Sequence, residues 1–555
     1  MADSHNSDRD RLTIVGIAAS AGGLEATTLL AQNLPVGINC CYVIAQHMSP
    51  SHTSMLVQLL GRETQLTVEE LSAETTVKSG VIYIPPPGKD VIYTDGQMKL
   101  REPAGHPASP KPSADRLFKS LAEELAENAI GVVFSGTGSD GSYGIRAIRQ
   151  HGGITIAQEP SSCKYDSMPV SAIHTGCIDL TLTPHQIGEH IAEIVSRPRD
   201  TDMLEQINAT RHRNKDLFDI IFARTLVDFR QYKESTLNLR IQRRMIAKGL
   251  EDIDQYVDLC RTSTDGVDAL FRDLLISVTE FFRDREQFDH LAHILNGAVS
   301  ALKEKSKIRV WVPGCASGEE AYSIAILVCE ALGGLSEVSS EKIQIFATDI
   351  DEAALQVARR GVYPVSAADD IPTEYVNTHF EVSGENLVVR PKLRNMIMFS
   401  RHNVIQDAPF IDIDLVSIRN VIIYFNSKLQ ERLFTRINYA LKPGALLFLG
   451  TSESLGVMES HFQHVAGRAK IFRKRDAKSV NERSKPQYYT LSTTTEHRPD
   501  KTDYRDPYDE WRNFDRLARG VITNGVLDLP GFCGERLAHF PGLSLEGDGA
   551  LEAER

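Results

Sequence analysis

A chain of 555 residues exceeds what one hydrophobic core supports, since single cores rarely grow past ~250 to 300 residues, so two or more domains are expected. The composition, 42% hydrophobic and 24% charged, is that of ordinary folded protein, and no apolar run approaches the ~18 residues of a membrane span. A net charge of -13 argues against a general nucleic-acid binder, and the polar, acidic stretch Met1 to Asp10 lacks the basic and apolar regions of a secretory signal; a cytoplasmic protein without membrane insertion is expected.

In chain order, residues 12–195 alternate short β-branched runs with helix-period segments, the pattern of a parallel sheet wound with helices. Leu12 to Ala18, Cys41 to Ala45 and Ile130 to Phe134 read as strands, and Val81 to Ile84, the turn Pro85 to Gly88, Val91 to Tyr93 and Asp95-Gly96 read as an antiparallel excursion. Residues 196–214 turn polar and read as a linker, and 215–290 as a small helical subdomain. A second α/β alternation over 291–475 contains the runs Ile308 to Val312, Ile343 to Thr348, Asp414 to Ile418 and Ala445 to Leu449. Residues 476–555, rich in Ser, Thr, Asp, Arg and Pro, read as a flexible tail with a short helix around Tyr508 to Leu517. The fold class expected is α/β, with two doubly wound domains. None of the eight cysteines forms a CxxC pair or a zinc-type spacing, so buried reduced thiols and no metal are expected.

Three reactive residues fall just past the ends of the first domain's strands, where wound sheets collect their ligand sites. Ser20 lies in Ala19-Ser20-Ala21-Gly22-Gly23, on a tight turn into the helical stretch Leu24 to Leu34, whose free N–H groups suit an oxyanion. His47 follows the second strand, and Asp140 lies in the glycine-rich loop Ser135 to Gly141 after the third. A hydroxyl needs an imidazole to take its proton, and the imidazole needs a carboxylate to fix its tautomer. The alternative is a phosphate-cradling loop, a structural histidine and an N-capping aspartate. Against it, Gly16-Ile17-Ala18 misses the GxGxxG spacing and no GKS or GKT follows.

The motifs Gly16 to Gly23, Gln46-His47-Met48, Lys111 to Asp115, Ser135 to Gly141 and Met168-Pro169 together resemble the catalytic domain of the chemotaxis protein-glutamate methylesterases of the CheB type. The resemblance implies hydrolysis of γ-glutamyl methyl esters on a receptor, with Ser20 as nucleophile, His47 as base and then acid, and Asp140 as its orienting carboxylate; it also implies glutamine deamidation through the same acyl-enzyme. Thr137 stands where the family commonly has Met, and Ala21 where it has Thr. About ten residues precede the first strand, so control by a phosphorylated receiver domain in cis is not expected.

In the second domain, Pro313-Gly314-Cys315-Ala316-Ser317-Gly318 leads into a helix that opens on Glu319-Glu320. Acidic residues at a helix start suit a cationic ligand better than a phosphate, and S-adenosylmethionine carries a sulfonium and an ammonium. Asp349 ends a strand, placed to bond ribose hydroxyls, but it lies 35 residues after Gly314, beyond the ~20 of a dinucleotide fingerprint. A glycine loop and a later acid are also what a plain α/β packing turn shows.

The neighbouring motifs Thr279 to Arg283, Trp311 to Ser323, Phe346 to Asp351, Arg419 to Phe425 and Leu441 to Gly444 resemble the chemotaxis receptor methyltransferases of the CheR type. That resemblance implies S-adenosyl-L-methionine as methyl donor, held by Ser277, Thr279, Arg283, Glu320, Asp349, Asn403, Val404, Ile418 and Arg419. Family enzymes usually have Asn where Ser277 stands. Arg283 and Tyr424 are the candidates for positioning the acceptor carboxylate, with a structural arginine and a core tyrosine as the alternative. Lys233, Arg240, Arg243, Arg244 and Lys248, on a helix-period stretch of an otherwise acidic chain, read either as a solvated face or as a grip on glutamate-rich receptor helices.

The expected whole is a bifunctional enzyme of opposed activities, with a methyl-accepting receptor or other signalling protein as partner and a sensor histidine kinase as a further candidate for the tail. The rival is a regulatory scaffold that keeps both folds without turnover.

Overall fold

The computed structural model describes residues 12–48, 55–103, 110–196, 211–250, 252–275, 279–465 and 467–475. The first sheet grows from runs whose side chains are apolar on both faces, a pattern that only a strand covered on both sides can satisfy. Its chain order is β1 (Thr13–Ala19), β2 (Cys40–Gln46), β3 (Thr67–Glu70), β4 (Glu74–Thr76), β5 (Val81–Ile84), β6 (Asp90–Thr94), β7 (Gln97–Arg101), β8 (Ala129–Val133), β9 (Ile154–Gln158) and β10 (Leu180–Leu182). Seven of these make one parallel sheet, ordered β10-β9-β8-β1-β2-β5-β3. β1 is buried at every position, with the Gly23–Gln32 helix on one side and Ala114–Leu125 on the other. One strand differs from expectation. Val81–Ile84 joins the parallel sheet, and the antiparallel hairpin is instead β6 with β7 around Asp95-Gly96, extended by β4.

After residue 210 come the helices Arg211–Thr225, Glu234–Ala247, Ile253–Thr262 and Thr264–Leu275, packed on a core of their own that includes Leu217, Ile241, Tyr256 and Leu270. The first begins inside the span read as linker. The second sheet comprises β11 (Ile308–Pro313), β12 (Ile343–Asp349), β16 (Ile397–Arg401), β17 (Ile413–Ile418), β18 (Leu441–Leu449), β19 (Phe462–His464) and β20 (Ile471–Lys474). Its order is β16-β12-β11-β17-β18-β20-β19, parallel across the first five strands and antiparallel at β20 and β19. Between β12 and β16 the chain builds a three-stranded antiparallel sheet from β13 (Val362–Pro364), β14 (Phe380–Ser383) and β15 (Asn386–Val389), strands too short to leave a sequence signal. Two doubly wound α/β domains with a helical subdomain between them are thus present. Among the described residues no helix is long and apolar enough to cross a membrane, and the seven described cysteines are free thiols, six of them buried. The expected tail and its short helix lie outside the described residues.

Candidate active sites

In each sheet the chain order reverses beside the first strand, leaving a crevice at the strand ends where loops part. In the first sheet, Ala19 of β1 is paired with Gln46 of β2, so Ser20 and His47 are the next opposed positions on strands ~4.8 Å apart. The His47 N–H donates to the Ala19 carbonyl at 2.8 Å, and the Ser20 N–H to the Ser135 carbonyl at 3.1 Å, which ties Ser20 to the loop after β8. At Gly136 a Cβ would sit 2.1 Å from Met168 Sδ and 2.8 Å from Ser20 Cβ, so only glycine lets that loop pass this close.

Asp140 returns from the same loop to bond His47 Nε2 through Oδ2 at 2.8 Å, which leaves Nδ1 as the ring nitrogen available to a hydroxyl. The start of the Ala114–Leu125 helix holds the carboxylate, with N–H bonds from Ala114 at 2.7 Å and Asp115 at 3.1 Å. Burial pushes the Asp140 carboxyl up, but the His47 bond and charge and these two N–H groups outweigh it, and the acid is held below its usual value. Ser20 Oγ makes no hydrogen bond among the described residues, so the structure brings the three residues to one strand edge with only the His47–Asp140 link closed. The N–H groups of Ala21 and Thr137 likewise donate to no described residue.

Beside this site lie groups from the second half. Glu385, at the β14–β15 turn, accepts the Ser139 N–H at 3.2 Å, and Ser366 Oγ donates to Asp115 at 2.6 Å. Asp115 is pushed up to about 7 by burial and by the charge of Asp140.

In the second sheet a pocket of about 890 Å³ opens between the ends of β11, β12 and β17. Thr279, Arg283, Glu320, Asp349, Asn403, Val404, Arg419 and Tyr424 all line it. Gly314, at φ +73°, sets its floor, and a Cβ there would lie 2.5 Å from Val421 Cγ2. Asp349 accepts the N–H groups of Ala316 at 2.8 Å and Asp351 at 2.9 Å, yet burial still raises it to about 6. Burial also raises Glu320, against the pull of Arg419, 3.8 Å away, and a 2.7 Å bond from Ser417 Oγ. Arg419 has a structural task as well, stacked between Phe288 and Phe448 and paired with Asp284 at 2.8 Å. The Arg283 side chain has no hydrogen bond or ion pair among the described residues, so its guanidinium remains available in the pocket wall. Burial raises the Tyr424 hydroxyl, which helps keep it neutral.

Two expected donor residues are not in the pocket wall. Ile418, last in β17, turns its side chain into the core with Trp311 and Phe434, and Ser277 lies outside the described residues. Sequence reasoning missed Tyr232, His402, Ile405, Asn420 and Phe425, which also line the pocket, as do Leu274, Leu275, Ala316, Ile350 and Val421. Asn420 and Phe425 fell within a quoted motif, whereas Tyr232 arrives from the helical subdomain, where nothing in its spacing marks it.

The basic stretch departs from expectation at three of its five residues, while Lys233 and Lys248 are exposed. Arg240, Arg243 and Arg244 of Glu234–Ala247 are buried against the first domain instead of facing outward. Arg243 pairs with Asp179 of that domain and with Asp273 at 2.9 Å, Arg244 approaches Asp273 at 3.3 Å, and Asp273 also meets Arg149. Arg240 donates to the carbonyls of Arg149 and Gln150 at 2.8 Å. A charge run on an amphipathic stretch does not reveal its partner, and here the partners are acids far away in sequence.

Comparison with known proteins follows the same division. The CheB methylesterase family matches residues 15–191, the all-alpha domain of the CheR methyltransferases 215–275, and their SAM-binding domain 277–471. The chemotaxis protein methyltransferase of Salmonella typhimurium is 32% identical over 254 residues, 44% of this chain and 84% of that protein. The CheB methylesterase catalytic domain of Thermotoga maritima is 30% identical and covered in full by 33% of this chain, with a TM-score of 0.32. A 104.1 kDa protein of Rhodobacter capsulatus is 33% identical over 445 residues, 75% of this chain, and the chain spans 46% of that relative's length.

Proposed function

This chain belongs to the CheB methylesterase and CheR methyltransferase families, and on that premise we propose that it both installs and removes methyl esters on glutamate side chains of a methyl-accepting receptor protein. The observation that carries the reading is the presence, in one chain, of the His47–Asp140 pair beside Ser20 and of an acid-lined pocket holding an unpaired arginine.

For ester removal, Ser20 Oγ attacks the ester carbonyl carbon while His47 Nδ1 takes its proton, and Asp140 stabilises the imidazolium through Nε2. The free N–H groups of Ala21 and Thr137 suit the oxyanion, so neither position needs a particular side chain for that purpose. His47 returns its proton to the departing methoxide, giving methanol. Water then attacks the acyl-serine by the same route and frees the carboxylate. An amide in place of the ester passes through the same acyl-enzyme and releases ammonia.

For ester formation, S-adenosyl-L-methionine would supply an electrophilic methyl carbon to the glutamate oxygen, with the C–S bond of the donor broken and the thioether released. The pocket fits that donor, since Asp349 suits its ribose hydroxyls, Glu320 its positive charge, and Val404, Ile405 and Val421 its apolar base. No protein nucleophile is required. Arg283 and Tyr424 would orient the acceptor carboxylate, whose alignment is the main contribution the chain makes to rate. Free thiols and dependence on an intracellular metabolite support a cytoplasmic location.

The test uses purified full chain, donor labelled in the methyl group, and cytoplasmic fragments of candidate receptors. Base-labile label on glutamate that persists longer with Ser20→Ala establishes both activities. A chain that binds no donor and cleaves no ester is a scaffold, and the reading fails.

A further inference from the structure

We infer that the acceptor glutamate reaches the methyl donor through a cleft whose far wall is the esterase domain, so that the esterase half helps select what the methyltransferase half modifies. The inference rests on the function proposed above and adds the route and the recognising residues.

A second, open cleft of about 620 Å³ lies against the donor pocket, and Thr279 and Arg283 line both. Those two residues stand between the spaces, and Arg283 is the side chain best suited to receive a carboxylate arriving from either. Every other wall of the cleft except Glu280 comes from the esterase domain, from the helices Ala114–Leu125 and Ser142–Gln150 and from His151 just beyond the second.

The cleft is built and not a loose gap. Lys119 bonds Glu280 at 2.8 Å and Asp370 at 3.2 Å, the Tyr143 hydroxyl bonds Asp370 at 3.2 Å, and Arg146 pairs with Glu319 at 3.1 Å, all across the two halves. Lys119 and Arg146 of its lining are already neutralised by Glu280, Asp370 and Glu319, so the cation left open to an arriving carboxylate is Arg283. A polypeptide segment presenting a glutamate is the occupant that this open guanidinium, shared with the donor pocket, and this route fit. Glu123, Gln150 and His151 are wall positions outside the proposed catalytic machinery whose side chains, among the described residues, make no bond across the halves, and they therefore report on entry.

The experiment measures methyl transfer by the full chain to an acidic receptor fragment, with wild type, Gln150→Glu, His151→Glu and Glu123→Gln. Adding a negative charge at Gln150 or His151 should raise the acceptor KM by roughly fivefold, and removing one at Glu123 should lower it, because wall charges act on encounter with a charged partner. Donor affinity and ester hydrolysis should stay at wild-type values in all three. Should a glutamate variant fold poorly, as judged by lost donor binding, Glu123→Gln decides by itself, since its predicted change is a gain. Acceptor KM values indistinguishable from wild type, with donor binding intact, overturn the inference and place entry elsewhere. Absence of label transfer by the wild type would instead remove the proposed function, and the role of the cleft with it.

Discussion

Arg146 and Glu319 lie 3.1 Å apart in a buried ion pair that joins the two catalytic halves. The guanidinium belongs to the helix that follows the Asp140 loop, and the carboxylate to the first turn of the helix that follows the Gly314 loop. Ser317, in the glycine loop itself, bonds both partners. Each active-site loop is therefore anchored on the other domain.

Arg146→Met should destabilise the protein by about 3 to 5 kcal/mol, because it strands the fully buried Glu319 carboxylate without its cation. The double variant with Glu319→Gln should recover much of that loss, since a neutral amide costs far less to bury than a charge. Denaturant midpoints of the two variants and the wild type measure both effects. A single variant as stable as wild type would mean that the pair carries no strain when broken.

Asp273 should behave as an acid-labile bolt between the halves. Burial pushes its carboxyl up, but Arg149, Arg243, Arg244 and Arg240 outweigh burial and hold it at about 2. The folded value lies below the unfolded one, so its stabilising contribution is present above about pH 4 and is lost as pH falls toward 2. Asp273→Asn should cost about 3 to 5 kcal/mol at neutral pH, and the gap from wild type should close across that acidic window. Thermal unfolding followed from pH 7 down to pH 2 tests the sign.

What the sequence makes legible here is whatever depends on strand ends. Ser20 and His47 follow apolar runs directly, Asp140 lies in the loop after a third and Asp349 ends a run of the second sheet, and the strand edge each occupies is fixed once those runs pair in parallel. Ile418 stands apart from the pocket wall for a related reason. Alternation along β17 sends its side chain into the core while the neighbouring Arg419 reaches the pocket, and a motif read as a unit does not separate the two. Contacts between distant elements are not legible at all. Arg243 needs Asp179 and Asp273 to be buried safely, and neither acid is marked as its partner by any local pattern. The loop that carries Glu385 onto Ser139 belongs to strands of three and four residues, which periodicity cannot detect.

Donor binding should weaken in mild acid. Asp349 is raised by burial to about 6, and its charged form is the better acceptor for ribose hydroxyls. Affinity for S-adenosyl-L-methionine should thus be constant above about pH 7 and decline as pH drops through 6. Asp349→Asn should weaken binding by about tenfold to a hundredfold, the loss expected for hydrogen bonds to a charged group, and should flatten the acid decline. Calorimetric titration of the donor from pH 5 to pH 8 tests both, and an unchanged acid decline in the variant would assign it to another group.

Asp115 predicts a change of opposite sign. Burial, reinforced by the Asp140 charge, raises its carboxyl to about 7, while the bonds from Ser366 and from the Gly144 N–H resist that shift. A folded value above the unfolded one means that the contribution is fully present below about pH 4 and is lost as pH rises through 7. The carboxylate is then an ionised group held beside a second one, at the point where Ser366 of the methyltransferase half touches the esterase half. Asp115→Asn keeps an oxygen for Gly144 and removes the repulsion, so it should raise the thermal midpoint at pH 8 and change it little at pH 4. His47 and Asp140 keep their bond in this variant, and ester hydrolysis should survive. A midpoint lowered equally at both pH values would show that hydrogen-bond geometry at Asp115, and not its charge, governs the contact.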